Sequence, residues 1–502
     1  MRAPLLVLTV WSTAAAAEVP DVVSFVAIAR DEAVRLRWTN PADHSGVLIL
    51  RAAEAIDAAP ADGVTYSVGQ SLGNAVVVYA DADSVVATFD DAALVNGTRY
   101  RYRIYNLDAL TRYSSGNVPT SSGVDATPSS GTGTTSKWCY AVGAAAVMQP
   151  VADLGAGVFF AGNAGTVNAS NTAAGSAADG DERWRPLRLP GSVQARFPVV
   201  TLYQEAQKTI LTGDSSGHAY AVNAATGALR WTALAGASLG DAIVAQPVVQ
   251  LRAYADAAFA AANPNRDLIF FATRNASAVS NTVYALDAPS GVEVWRYAPG
   301  DLDVVNGGML VDYEGNRLFV ASRSNAGTQQ SLRVLDSLTG AYLTGFSLGD
   351  IDTGVVLNTS LNQALVATTS GAVWGIALGD LSVAFQVAVG PPASWPFPAG
   401  NGFIVSLTSG AVQRWSVSGA STELMWTAAV ADPSGVNLDY VAQVAYVGSS
   451  DGKVHQLSLA TGADQLQLDL ADGTTGTPSI DTVSRRMHVG TLGGHVCALA
   501  LP

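Results

Sequence analysis

Apolar and polar residues alternate with period two over much of this chain, the spacing that places every second side chain of a β-strand on one buried face. In Ala33-Val34-Arg35-Leu36-Arg37-Trp38, the residues Val34, Leu36 and Trp38 share a face. After an Asn96-Gly97-Thr98 turn, Tyr100, Tyr102 and Ile104 do the same. Val47–Arg51 and Val85–Phe89 read as further strands. Beyond residue 136 the chain repeats itself. Tyr220–Gly227, Tyr284–Gly291, Arg333–Gly340 and His455–Gly462 align without gaps, each an apolar strand running into a turn that ends in Thr-Gly or Ser-Gly. Weaker copies begin at Asn168, Trp374, Gln413 and Cys497, so successive starts lie 52, 64, 49, 41, 39, 42 and 42 residues apart. A glycine at the turn supplies the positive φ that a tight connection needs. An aromatic residue follows on the next strand: Trp231, Trp295, Phe346 and Trp426. Four strands in about 40 residues is the size of one propeller blade.

The fold expected is therefore all-β: a sandwich over residues 18–127, a Ser/Thr/Gly-rich linker over 128–135, and an eight-bladed propeller over 136–502. The last repeat stops too soon to hold an outer strand. Lys137–Val142 is expected to supply it, with Trp138 at the aromatic position. Cys139 and Cys497, the chain's two cysteines, would then lie on neighbouring strands and form a disulfide. Two buried free thiols are the alternative.

The repeats resemble the PQQ-type propeller repeat, in which an apolar-Ala-x-Asp strand precedes a Thr-Gly turn and an outer-strand Trp. Residues 18–127 resemble a fibronectin type III domain, on the Trp38-Thr39-Asn40-Pro41 strand end, the Asn96-Gly97-Thr98 turn and Tyr100 at the place of the corner tyrosine. The propeller resemblance implies one of two classes: a quinoprotein dehydrogenase with PQQ and Ca²⁺ over the axis, or a non-enzymatic envelope scaffold. The chain has no adjacent cysteines and no Cys-x-x-Cys-His, so neither the dehydrogenases' vicinal disulfide nor a c-type haem is expected.

Residues 1–17 have the form of a signal peptide: Arg2, an apolar run from Leu5 to Trp11, and Ala14–Ala17 as the cleavage zone. No cysteine lies there for a lipid anchor, and no later segment reaches the ~18 apolar residues of a membrane helix. A secreted or periplasmic chain is expected. Charged residues make up only 14% and net charge is −14, which argues against nucleic acid.

Catalytic candidates are few. Of the five histidines, His44, His218, His455, His488 and His495, two (His218 and His495) stand where other repeats have Ala372, Ala411 and Lys453, and His455 stands where they have Tyr220 and Cys497; no His-Glu-x-x-His occurs. Acidic residues recur between repeats, at Asp241, Asp301, Asp303, Asp350, Asp352, Asp432 and Asp472. They would form turns by accepting backbone amides, or else ring the axis and hold Ca²⁺, with Asp301, Asp303, Asp350 and Asp352 the candidate ligands. Two loops break the repeat, one carrying Tyr254 and Phe259, the other Trp395 and Phe397 among prolines; these four are the candidate partner contacts. The reading is an exported binding scaffold with a protein partner and no PQQ. A quinoprotein oxidoreductase and a carbohydrate or surface adhesin are the alternatives.

Overall fold

The structure is a computed structural model. It describes residues 18–22, 24–30, 32–81, 87–116, 124–128, 138–142, 149–153, 157–162, 165–171, 180–275, 281–324, 330–470 and 472–501. The expected signal peptide and nearly all of the expected linker lie outside these residues. The chain divides into two units. One comprises Met1–Ala27, Arg35–Asp91 and Arg99–Asp125; the other comprises Ile28–Val34, Ala92–Thr98 and Ala126–Pro502.

The first unit is built around Gly46–Ala52, which pairs antiparallel with Ala75–Asp81 on one side and Tyr100–Leu107 on the other. Its sheet runs Ser71–Leu72, Ala75–Asp81, Gly46–Ala52, Tyr100–Leu107, Val124–Ala126. Leu48, Leu50, Val77 and Tyr105 form its core. The expected alternation holds in Ala33–Thr39, where Val34, Leu36 and Trp38 are buried. Of the strand expected at Val85–Phe89, Val85 and Val86 lie outside the described residues, and the described strand is Thr88–Ala92. Its acidic end has a use, because buried Asp91 accepts bonds from Arg51 Nη1 (2.7 and 2.8 Å) and from the Tyr102 hydroxyl (2.9 Å). Burial first, and then the Asp91 charge, push the Tyr102 hydroxyl pKa far up, so it stays a donor. Tyr100 is half-buried with the Arg51 guanidinium 5.5 Å from its ring centroid.

Among the described residues, the second unit contains seven four-stranded antiparallel sheets, each made of four strands consecutive in sequence. A further run of four strands is ordered Ser479–Asp481, Arg486–Gly490, His495–Ala500, Trp138–Ala141, so the last repeat takes its outer strand from the opposite end of the unit. Cys497 registers opposite Cys139, and the two form a disulfide. Every repeated segment found in the sequence is a third strand, from Thr166–Asn171 to His495–Ala500.

One contact recurs between sheets. Trp184, Trp231, Trp295 and Trp426 each donate their indole N–H to a carbonyl of the next sheet's turn, those of Ala224, Ala288, Ser337 and Leu459, at 2.9–3.0 Å. The acceptor lies three residues before the turn glycine, and the ring lies over that glycine. A Cβ on Gly227, Gly291, Gly340 or Gly462 would sit 2.4–2.7 Å from ring carbons. Trp138 lies on Gly180 in the same way. The expected equivalent Phe346 is not in this position. Thr344 holds the register that Trp231 and Trp295 hold, because Phe346 lies two residues further along its strand. Arg317 takes over there, donating to the Leu378 carbonyl while paired with Asp312.

Gly291 and Gly300 both have positive φ, 72° and 82°, yet only Gly291 faces a ring; nothing lies within 4 Å of a Cβ on Gly300. Gly300→Ala should therefore cost only backbone strain, about 1 kcal/mol. Gly291→Ala should cost roughly 1–3 kcal/mol more through displacement of Trp231, read as the difference between the two urea midpoints. The Cys139–Cys497 bond spans a sequence separation of 358. Its loss in Cys139→Ser/Cys497→Ser should lower stability by about 4 kcal/mol in the same assay, and no change would mean that the bond constrains nothing.

Candidate functional site

Each sheet of the second unit is led by a short segment that arrives at its first strand. Gln149 precedes Val151–Asp153, Arg196 precedes Val199–Thr201, Gln246 precedes Val248–Gln250, and Asn306–Gly308 precede Leu310–Asp312. Asp352–Thr353, Ser394–Trp395, Ser434–Gly435 and Thr474–Thr477 stand likewise before the remaining first strands. All of them line one cavity of about 470 Å³. A second cavity of about 380 Å³ shares Gln149, Arg196, Gln246, Gly308, Thr353 and Trp395 with it and continues among Met309, Val355, Leu357 and Phe397. The wall is tight in two places. Gly308 pairs in parallel with Gly354, so closely that a Cβ on Gly307 would lie 2.0 Å from the Gly354 nitrogen. Gln149 Nε2 and Asn437 Nδ2 both donate to the Pro478 carbonyl at 3.1 Å, tying the unit's first leading segment to its last two.

The charged groups of the cavity differ in their partners. Asp352 receives both arms of Arg323 at 2.8 Å and the Asn306 amide at 2.7 Å. Burial alone would raise its pKa, but these bonds outweigh it and hold the carboxyl below its ordinary value. Asp432 is exposed and accepts from the Ser450 hydroxyl at 3.0 Å. Arg196 has no hydrogen bond or ion pair among the described residues, and its Nε is buried without a partner. Burial pushes its pKa below the usual arginine value.

The acidic residues singled out in the sequence have different partners. Of those singled out in the sequence, Asp352 and Asp432 line the cavity. Asp301 pairs with Arg333 at 3.1 Å, Asp303 accepts from the Val304 amide, and Asp350 accepts from the Ser324 amide and hydroxyl. Asp472 accepts from Thr491 and bonds His495 Nδ1 at 2.7 Å. Among the described residues, no three His, Cys, Asp or Glu side chains are grouped to hold a metal.

The histidines are parts of turns or core. Ser216 Oγ lies 2.9 Å from His218 Nδ1, which invites a nucleophilic reading. Asp214, however, binds the serine hydroxyl rather than the far imidazole nitrogen, so it cannot orient His218 as a general base. His455 bridges Asp451 and Asp464. His488 is fully buried, its ring centroid 6.0 Å from that of Trp138, with neither nitrogen hydrogen-bonded among the described residues.

Of the four aromatic contact candidates, Tyr254 is 76% exposed. Phe259 is a correction. It lies on the inner face of the short helix Ala257–Ala262, wholly buried among Phe270, Leu302 and Val305, because Asp256 caps that helix and turns the phenyl ring inward. Trp395 and Phe397 are half-buried; Trp395 forms cavity wall and Phe397 packs on the neighbouring core. Sequence reasoning missed the amides and Arg196, since isolated polar residues before an apolar strand look like ordinary loop. Their common offset from each first strand was the available signal.

The family described as outer membrane protein assembly factor BamB matches residues 115–282 and 279–501. This chain belongs to that family. Among solved structures, BamB from Moraxella catarrhalis is 18% identical with a TM-score of 0.51, covering 71% of this chain and 97% of its own. A quinohemoprotein alcohol dehydrogenase from Comamonas testosteroni is 14% identical with a TM-score of 0.56, covering 74% and 77%. The computationally designed Ika8 protein is 12% identical with a TM-score of 0.53, covering 71% and 96%. At such identities the likeness speaks for a β-propeller fold alone. No curated protein matches.

Burial drives the His488 pKa down to about 3, with Arg486 adding to the effect and Asp481 opposing it. In the unfolded chain the imidazole takes up its proton near pH 6.5, whereas in the fold it stays neutral, so stability is full above pH 6.5 and falls as pH drops toward 3. Between pH 7.5 and 5.5 the wild type should lose about 1.4 kcal/mol more than His488→Phe. Parallel stability–pH curves for the two chains would refute it.

Proposed function

We propose that this chain is an exported scaffold whose propeller holds a protein partner and carries out no reaction of its own. The family match carries the reading: it extends over nearly all of the second unit, and the family's description is an assembly factor. The seven four-stranded sheets, with the further run completed by Trp138–Ala141, are read as eight blades. The bonds from Gln149 and Asn437 to the Pro478 carbonyl support closure into a ring. The Cys139–Cys497 bond supports an oxidising compartment, secreted or periplasmic. A fibronectin type III reading of residues 18–127 is supported by strand order. Ser24–Arg30, Ala33–Thr39 and Thr88–Ala92 are ordered together, apart from the five-stranded sheet centred on Gly46–Ala52.

The dehydrogenase alternative needs a site for a quinone and Ca²⁺. The cavity residues do not fit that pair, because hard oxygen donors must converge on Ca²⁺. Asp352 is already held by Arg323 and Asn306, Asp432 points its carboxylate to Ser450, and the remaining lining is largely amide, hydroxyl and glycine.

In-cell crosslinking of the tagged full chain, followed by purification and mass spectrometry, should recover one dominant envelope protein. The purified chain, offered PQQ and Ca²⁺ and then desalted, should retain no chromophore. Stoichiometric retention of the quinone with no crosslinked partner would reverse the reading.

A further inference from the structure

The unpartnered arginine of the central cavity points to a ligand. Arg196 lines both cavities and so stands where they meet. The chain carries 41 acidic residues against 27 Lys and Arg, and its other half-buried arginines find partners: Arg51, Arg317 and Arg112 pair with carboxylates, Arg103, Arg274 and Arg414 donate to carbonyl or amide oxygens, and Arg252 lies over the Tyr203 ring. Arg196 does not. The two acids in its cavity are engaged elsewhere, Asp352 with Arg323 and Asp432 with Ser450. A buried guanidinium Nε with no partner leaves a donor unsatisfied, and the group stays charged because its intrinsic pKa is so high. The surrounding groups are neutral and unspent. The Gln246 amide and the Trp395 indole form no side-chain hydrogen bond among the described residues, and both line the two cavities beside Arg196. A cationic fork, a spare amide and a flat aromatic wall are the set that receives a planar anion with two oxygens. At about 470 Å³ the cavity admits a small organic acid or the last residue or two of a peptide.

We propose that the central cavity is a carboxylate-binding site, with Arg196 taking the two oxygens and Gln246 and Trp395 fixing the orientation of the bound group. The carboxylate comes either from the free C-terminus of a partner chain, in which case the inference rests on the scaffold reading, or from a small free acid. The purified full chain is titrated calorimetrically with a hexapeptide bearing a free C-terminus and with the same peptide amidated, then with benzoate and with benzamide. The acid of at least one pair should bind at least tenfold more tightly than its amide. Arg196→Gln should abolish that difference, and Arg196→Lys, which keeps the charge and loses the fork, should reduce it in part. Because the wild-type guanidinium is unpaired, Arg196→Gln should leave Tm unchanged or raised, so a loss of binding will not reflect a loss of fold. Preference for the peptide acid alone assigns the site to a partner's terminus, and equal preference for benzoate assigns it to a free acid. Equal affinity for acid and amide in both pairs, or an acid preference that survives Arg196→Gln, overturns the proposal. The titration uses no partner, so its failure leaves the crosslinking result standing.

Discussion

The second unit depends on a tryptophan lying over the next sheet's turn glycine. The indole makes two demands at once. Its N–H needs a carbonyl, which the turn offers three residues before the glycine, and its face needs a residue without a Cβ. The backbone of the turn alone does not require glycine. In the fifth sheet's turn, where no tryptophan arrives, Leu381 holds the same place at a φ of 57°. Strain of about 1 kcal/mol is therefore tolerable there, whereas a side chain driven into an indole ring is not. The contact is local and directional, so wherever it occurs it fixes one sheet's turn against the sheet before it.

The repeat has a consequence at the segments that lead into the first strands. Segments with little sequence in common, Gln194-Ala195-Arg196, Asn306-Gly307-Gly308 and Ser394-Trp395, reach the same cavity because they occupy the same offset in the repeat. The outer contacts are interchangeable, since Arg317 replaces a tryptophan by donating to the corresponding carbonyl. The inner positions are each different. Specificity in such a fold belongs at the inner positions, where substitution leaves the sheet-to-sheet contact untouched.

What the sequence made legible follows from this division. Third strands, turn glycines and most outer tryptophans carry a fixed local pattern, and all the repeat starts fell on third strands. The pairing of Cys139 with Cys497 was readable because an incomplete repeat at one end matched a spare strand at the other. Phe346 misled because an aromatic two residues out of register looks the same in a string of letters. Phe259 misled because a loop insertion hid a one-and-a-half-turn helix with its own cap. The acidic residues were conspicuous yet occupied in turns and ion pairs, while Arg196 was inconspicuous and is unpaired. Charge is visible in sequence, but whether a charge has been neutralised is a property of packing.

The sheet completed by Trp138–Ala141 must solve a harder problem than the others. Its outer strand comes from a distant part of the chain, so the entropy of bringing the two together opposes its formation more than for strands joined by short turns. Several features converge there. The disulfide fixes Cys139 to Cys497, Trp138 lies on Gly180, and His488 packs neutral against Trp138. The first ties the strand covalently, and the second repeats the contact found between the other sheets. The third adds burial whose benefit fades as acid charges the unfolded imidazole. Local pattern sufficed for consecutive strands, whereas the junction between Trp138–Ala141 and the last repeat needed a bond that holds irrespective of pattern.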